Sequence, residues 1–438
     1  MSSETKRGIS LVTATAVVVA NMIGTGVFTS LGFQVGDLPS GFTIMMLWLV
    51  GGVCAFCGAV CYGELAAAMP RSGGEYHFLS KIFHPALGFL SGWLSVTVGF
   101  AAPIALAAMA FGKYFSTIFP HAPATTWSLV MVWCVTLVHV GGVKMAARFQ
   151  NTATWLKVAL ICVFIASAWI VARGAAVRFT PEAADLGLIT SRPFAVSLVY
   201  VMYSYAGWNA AAYIVGDIRE PQRNVPRAIA LGTLLVTALY LALNASFLHA
   251  APAGALAGKL DVGHVAAEHI FGVTGGKIMS GLICLGLASS ISAMTWLGPR
   301  VLSTMGEDMR ILKPFAACDE NGVPVTGLFV QLAIVITLLL TASFNTVLTA
   351  VQFSIQLASF ATVAGLFVLR WKQPDLPRPY RCWGYPVTPL LFLGISVWMM
   401  VFLMLDPVSR AASLYGLGLI ALGLIIFLLS PRTDRTSS

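Results

Sequence analysis

The sequence predicts an all-α membrane protein built from twelve transmembrane helices. Three observations predict it: a composition that is 58% hydrophobic and only 10% charged, long apolar runs repeated from end to end, and an uneven distribution of Lys and Arg between them. A soluble domain usually carries about 25% charged residues, and a spanning helix needs about 20 consecutive apolar residues. The net charge of +9 would suggest nucleic acid in a soluble chain. Here basic residues gathered on cytoplasmic loops account for it, so no nucleic-acid partner is expected. The start of the chain is polar, and the first apolar run is too long for the apolar part of a signal peptide, so none is expected.

The twelve candidate spans, in order, are Ile9–Phe33, Gly41–Met69, Pro85–Ile118, Trp127–Gly142, Thr152–Ala172, Pro193–Val215, Ala228–His249, Gly276–Gly298, Val325–Ser343, Thr346–Trp371, Val387–Leu405 and Ala411–Leu429. With the N-terminus inside, 18 Lys and Arg fall on inner loops and tails and 7 on outer ones. The inner set includes Lys6, Arg7, Arg71, Lys81, Lys144, Arg148, Arg432 and Arg435; the outer set includes Lys113, Arg173 and Arg178. That asymmetry places both termini in the cytoplasm of a multi-pass protein of the cell inner (plasma) membrane.

The first span is interrupted by Ile23-Gly24-Thr25-Gly26-Val27-Phe28. Glycine loses more backbone freedom on ordering than other residues, so two of them weaken a helix here. In hydrocarbon, unpaired backbone groups are tolerated only where protein buries them or a polar cavity takes them up. Tyr203-Ser204-Tyr205-Ala206-Gly207-Trp208-Asn209 weakens the sixth span in the same way, five spans later. Each patch alone fits a close helix crossing of small residues equally well. Interrupted helices at matched positions, however, point to a transporter of inverted repeats whose site lies at the midplane. The expected units are residues 1–172 (helices one to five), 193–371 (helices six to ten) and 387–429 (two extra helices).

A broken helix exposes amides where its second half starts and carbonyls where its first half ends. Amides at Gly24, Thr25 and Gly26 suit a carboxylate, helped by the helix dipole. Carbonyls at Tyr205, Ala206 and Gly207 suit an ammonium. An anion site facing a cation site matches the zwitterionic end of an amino acid.

Lys157 lies inside the fifth span, where a charge costs at least ~2.5 kcal/mol. It either snorkels to the inner interface or places an ammonium beside the carbonyls of the first break, in place of a bound sodium ion. The second reading makes the system sodium-independent, through exchange or proton coupling. Glu64 is the clear carboxylate within a span, expected as a helix-end acid paired with a loop base. Tyr240, from the seventh span, can cap the site, and hydroxyls of Ser289, Ser290 and Ser292 in the eighth can surround the lysine; each alone is also an ordinary interhelical hydrogen bond. Cys54, Cys57 and Cys61 read as small packing residues, and no zinc-ligand spacing is present. No metal and no cofactor are expected.

At Asn21-Met22-Ile23-Gly24-Thr25-Gly26-Val27-Phe28, Tyr62-Gly63-Glu64-Leu65, Met69-Pro70-Arg71-Ser72-Gly73-Gly74-Glu75-Tyr76, Tyr205-Ala206-Gly207-Trp208-Asn209 and Glu220-Pro221-Gln222-Arg223-Asn224-Val225-Pro226-Arg227-Ala228-Ile229 the sequence resembles the amino acid–polyamine–organocation (APC) superfamily. Within it, the likeness is to bacterial relatives of the L-type amino acid transporters. The resemblance implies a five-plus-five inverted repeat with helices one and six broken and two extra helices. It implies a substrate site at Ile23, Gly24, Thr25, Gly26, Tyr203, Tyr205, Ala206, Gly207 and Tyr240, and a lysine, Lys157, replacing a sodium site with Ser289 and Ser290 nearby. In the eighth span Ser289-Ser290-Ile291-Ser292 is followed by Met294-Thr295-Trp296, where many members carry an asparagine. The human L-type proteins bind a glycoprotein through an outer-loop cysteine; no outer loop here has one, so no obligate glycoprotein partner is expected, only amino acid substrate and membrane lipid.

The function expected is secondary active transport of neutral amino acids by alternating access. A polyamine or other organocation transporter would need an acidic pocket. A non-transporting amino acid receptor would bind but never accumulate ligand in vesicles. An enzyme would need a nucleophile–base pair or a metal cluster, and none stands out.

Overall fold

In a computed structural model of the chain, the described residues are 9–429 apart from 141–145, 173, 176, 309 and 320–322. Lys6, Arg7, Lys144, Arg432 and Arg435 of the expected inner set, Arg173 of the expected outer set, and the end of the fourth predicted span at Gly142 lie outside them. Among the described residues the chain is almost entirely helical, and its one strand-like pairing is the isolated bridge between Ile9 and Ile218.

The elements follow the apolar runs. Helix α1 (Leu11–Met22) stops at the predicted interruption, and α2 (Gly26–Thr29) and α3 (Leu31–Gln34) continue the span. Ser40 caps α4 (Gly41–Ala68) by accepting from the Thr43 amide at 3.3 Å, which satisfies one of the four unpaired amides at a helix start. A short loop helix α5 (Gly74–Ile82) leads to the third span, formed by α6 (Pro85–Leu94) and α7 (Ala101–Ile118). One turn of π-helix, Ser95–Phe100, separates them. Pro103 gives its local cause, because it has no N–H to donate back along the helix. Then come α8 (Ala124–Val140), α9 (Ala146–Val171), the short helix α10 (Ala183–Ile189) and α11 (Arg192–Tyr205), bent by 65° from α10. After the second break come α12 (Ala210–Tyr213), α13 (Pro221–Ala250), α14 (Ala253–Leu256) and α15 (Val262–Asp308), which turns sharply at Gly272 (φ +73°). The chain ends in α16 (Val325–Thr341), α17 (Phe344–Lys372), α18 (Val387–Leu405) and α19 (Pro407–Leu429).

Among the described residues, eight helical stretches are long and apolar enough to cross a membrane by length and composition. Ala124–Val140, Leu156–Val171 and Val325–Thr341 are shorter apolar helices, and α11 forms the bent pair with α10. Each of the twelve predicted segments is therefore helical in the residues described.

The core is a large apolar cluster around α1, α4, α7, α11 and α13, with a smaller separate cluster at Phe89, Val96, Leu302, Met305 and Leu312. The outward faces of α18 and α19 expose Leu390, Leu391, Ile425 and Leu428, the arrangement expected of helices that face lipid. At one end Glu64, fully buried, accepts from Arg370 Nε (2.9 Å), Arg370 Nη2 (2.6 Å) and the Cys382 amide (2.6 Å), with Arg378 Nε 3.3 Å away. The expected pairing of a helix-end acid with nearby bases is thus present. Cys54, Cys57 and Cys61 are free thiols buried in the packing of α4.

Candidate functional site

Two interrupted helices meet here with their broken backbones side by side. In the first, Ile23 closes α1 by donating to the Val19 carbonyl at 3.0 Å, and the Gly24 amide turns back to the Met22 carbonyl at 2.8 Å. The Thr25 and Gly26 amides have no backbone acceptor among the described residues. The Gly24 amide, expected to be free, is occupied in this conformation; the open donors begin one residue later, where α2 starts.

In the second, α11 ends at Tyr205 and Ala206 donates to the Tyr203 carbonyl at 3.0 Å. Gly207 follows at φ +99°, a conformation that glycine adopts at little cost. Its carbonyl accepts from Ala210 at 3.0 Å, whereas those of Tyr205 and Ala206 receive no backbone donor among the described residues. A Cβ on Gly207 would fall 2.9 Å from the Asn21 carbonyl oxygen. The glycine is therefore demanded twice, by its backbone angle and by the proximity of α1.

Tyr240 of α13 joins the two breaks. Its hydroxyl lies 2.6 Å from the Met22 carbonyl and 3.1 Å from the Ser204 carbonyl, and it donates to them. The Tyr240 ring is fully buried and packs edge-on against Trp48. Trp48 in turn donates to Gln34 at 3.0 Å. Tyr205, placed at the site for its carbonyl, sends its side chain away, donating to the Trp48 carbonyl at 3.2 Å. Ser30 on the continuation of the first span lies 3.1 Å from Ser204 Oγ and also reaches the Tyr200 carbonyl at 3.2 Å. The Tyr203 hydroxyl stands beside the Thr25 side chain, so both are buried at the junction.

Lys157 does not snorkel. It is 4% exposed, and its ammonium donates to Ser290 Oγ at 2.7 Å and to the Ile23 carbonyl at 3.4 Å. A positive charge thus sits on the carbonyl that ends the first half-helix, the end at which the dipole favours cations. Of the three candidate hydroxyls, Ser290 takes the lysine, Ser289 is buried next to it, and Ser292 turns to His139 at 3.4 Å. A cavity of about 10 Å³, lined by Ile23, Gly24, Phe28, Lys157, Gly286 and Ser290 among others, lies alongside. That volume is about enough for one water molecule.

The residues that form the paired breaks belong to a chain whose positions 9–429 match the family model described as amino acid permease. The chain belongs to the amino acid permease family. It is similar to the large neutral amino acids transporter small subunit 2 of Rattus norvegicus, 29% identical over 415 residues, covering 90% of this chain and 76% of that protein. It is also similar to the Asc-type amino acid transporter 1 of Mus musculus, 26% identical over 407 residues, with 91% and 76% covered. The b(0,+)-type amino acid transporter 1 of Mus musculus is 24% identical over 437 residues, with 97% and 88% covered. This permease is accordingly an amino acid transporter of the APC superfamily related to the L-type proteins, and not an enzyme.

One residue of the permease that sequence reasoning passed over is Glu75. It stands in the first turn of α5, directly after Gly74. In the fold it is 5% exposed. Tyr62 donates to its carboxyl, as do Ser359 at 3.0 Å and Asn209 at 3.3 Å, and the Tyr213 hydroxyl stands alongside. These partners come from α4, α17 and the segment around α12, all uncharged. Burial pushes the Glu75 carboxyl above its ordinary value, against the pull of the four hydrogen-bonding neighbours. No local pattern could have shown this, because the partners are up to 284 positions away.

Proposed function

We propose that this permease is a secondary transporter that carries neutral amino acids across the cell inner (plasma) membrane by alternating access. The observation that carries the reading is the Tyr240 hydroxyl, bonded at once to Met22 of the first interrupted helix and Ser204 of the second. It draws a set of free amides and a set of free carbonyls to the same depth.

The Thr25 and Gly26 amides at the start of α2 would hold the α-carboxylate, where amides and dipole act together. The Tyr205 and Ala206 carbonyls would hold the α-ammonium. Gly24 and Ile23 shape the close approach, and Tyr203 with Thr25 would stand at the entrance to the site. The relative named for large neutral amino acids supports neutral side chains.

Lys157 would serve in place of a sodium ion, since its ammonium already occupies the Ile23 carbonyl and the Ser290 hydroxyl. Transport is therefore sodium-independent, by exchange or with proton coupling. Twelve spans arranged as residues 1–172 and 193–371 in inverted repeat, with 387–429 appended, and both termini cytoplasmic, complete the reading. The similar small subunits carry that word in their names; for this chain, with no cysteine in its outer loops, transport without a glycoprotein partner is the reading adopted.

The test is counterflow in proteoliposomes loaded with a neutral amino acid, using labelled leucine, alanine, lysine and putrescine outside, with and without sodium. Accumulation of leucine or alanine without sodium is the expected result. Accumulation that requires sodium, or of putrescine alone, would refute it.

A further inference from the structure

A second concavity of the molecule lies away from the paired breaks. It is a cavity of about 310 Å³ between the loop that follows α4 and the end of α17. Arg71, His77 and Lys81 line it together with the apolar side chains of Met69, Leu369 and Leu376. Pro70 and Gln373 complete the wall, and no carboxylate is among these residues.

Arg178, Arg192, Arg370 and Arg378 each have a carboxylate partner within 4.0 Å. Arg71 and Lys81 have none among the described residues, although they face the same hollow. Burial and these two cations push the His77 imidazole down to about 4, so it is neutral at physiological pH and retains one N–H to donate. Arg71 and Lys81 are solvent-exposed, and two cations lining one hollow without a counter-ion favour an anion there. A guanidinium fork and an ammonium with a neutral imidazole suit the oxygens of a phosphate group better than a single carboxylate. The volume is in the range of small-ligand sites, and the apolar wall can take the carbon part of a phosphoester.

We infer that this hollow is a binding site for a phosphate-type anion, held by Arg71, Lys81 and His77 between the α4–α5 loop and α17. The shared chemistry has two sources, the headgroup of an anionic lipid and free phosphate. Occupancy ties the segment of Arg71 and Gly73 and the helix α5 that follows it to the end of α17, and so stabilises the packing on that face of the bundle.

The experiment measures thermal unfolding of the purified full-length protein. One arm titrates inorganic phosphate in neutral detergent against chloride at equal ionic strength. The other compares nanodiscs of phosphatidylcholine with nanodiscs containing phosphatidylglycerol. A midpoint rise of about 2 °C or more is expected in at least one arm, because a ligand that binds only the folded state stabilises it. A rise in the first arm identifies free phosphate; a rise confined to the second identifies the lipid headgroup. The Arg71→Ala/Lys81→Ala protein loses the rise, Arg71→Lys/Lys81→Arg keeps it, and Arg223→Ala/Arg227→Ala, which removes exposed charges elsewhere, keeps it too. The inference is overturned if neither arm responds. It is equally overturned if the alanine pair at Arg71 and Lys81 responds like the unaltered protein, or if the Arg223/Arg227 pair abolishes the response as well. None of these outcomes depends on which amino acid the protein carries.

Discussion

Gly26 lies so close to Ser204 that a Cβ placed on it would stand 2.7 Å from the Ser204 Cα and 2.4 Å from its Oγ. The start of the second half of one interrupted helix is thus pressed directly on the last turn of the first half of the other. Helices approach this closely only where a side chain is missing on one of them.

Gly26→Ala is therefore expected to force α2 away from α11. Overpacking at a rigid contact costs about 1–3 kcal/mol, and here the displacement falls on the amides proposed to hold the carboxylate. Counterflow should drop at least about tenfold, the factor that 1.4 kcal/mol represents, with protein still in the membrane fraction. Unchanged counterflow in this variant would show that the junction is not where substrate binds.

Removal of the Lys157 ammonium leaves the Ile23 carbonyl and Ser290 without their charged donor. A hydrogen bond to a charged group contributes about 1.5–3 kcal/mol, so Lys157→Ala should weaken transport roughly ten- to a hundredfold while insertion persists. Initial rates of labelled uptake, normalised to protein in the vesicles, measure this. Full activity would remove the lysine from the mechanism.

The Tyr240 hydroxyl has one proton and two acceptors, and Tyr240→Phe keeps the ring against Trp48 while deleting the bond. The Met22 carbonyl retains the Gly24 amide; the Ser204 carbonyl loses its hydroxyl partner. A buried acceptor left unpaired costs about 1–3 kcal/mol. The expectation is a raised KM and a lower midpoint of thermal unfolding, readable in the same preparation by uptake kinetics and by scanning fluorimetry.

Glu75 gives a pH signature with a definite sign. Its carboxyl is held above the ordinary value of 4.5 by burial, so the folded protein binds a proton more readily than the unfolded chain does. Such a group contributes stability that is fully present below the ordinary value and is lost as pH rises through the raised one. The thermal midpoint should fall with rising pH in that window, and Glu75→Gln, uncharged at every pH, should flatten this part of the profile. A profile in the variant parallel to that of the unaltered protein would show that another group is responsible.

Much of this was legible in the sequence because apolar content and glycine act locally. Runs of about 20 apolar residues can satisfy their backbone in hydrocarbon only as helices, so the twelve segments lie where hydropathy put them. Gly24 and Gly26, and later Gly207, weaken a helix wherever they stand, so both breaks were readable too. Lys157 announced itself because a charge in a span needs a partner. The family likeness rested on the two breaks together with the stretches at residues 62–65, 69–76 and 220–229.

What the chain order could not disclose is which groups meet. That Ser290 rather than Ser292 takes the lysine depends on the rotation of α15 about its axis, which three serines within four residues leave open. The closing of Tyr240 on both breaks depends on the register of α13 against α1 and α11. The burial of Glu75 depends on three distant elements converging on a loop. Periodicity specifies a helix and its apolar face; side-chain packing between helices sets rotation and register, and these decided the use of the Gly24 amide, the partner of Lys157 and the placement of Glu75.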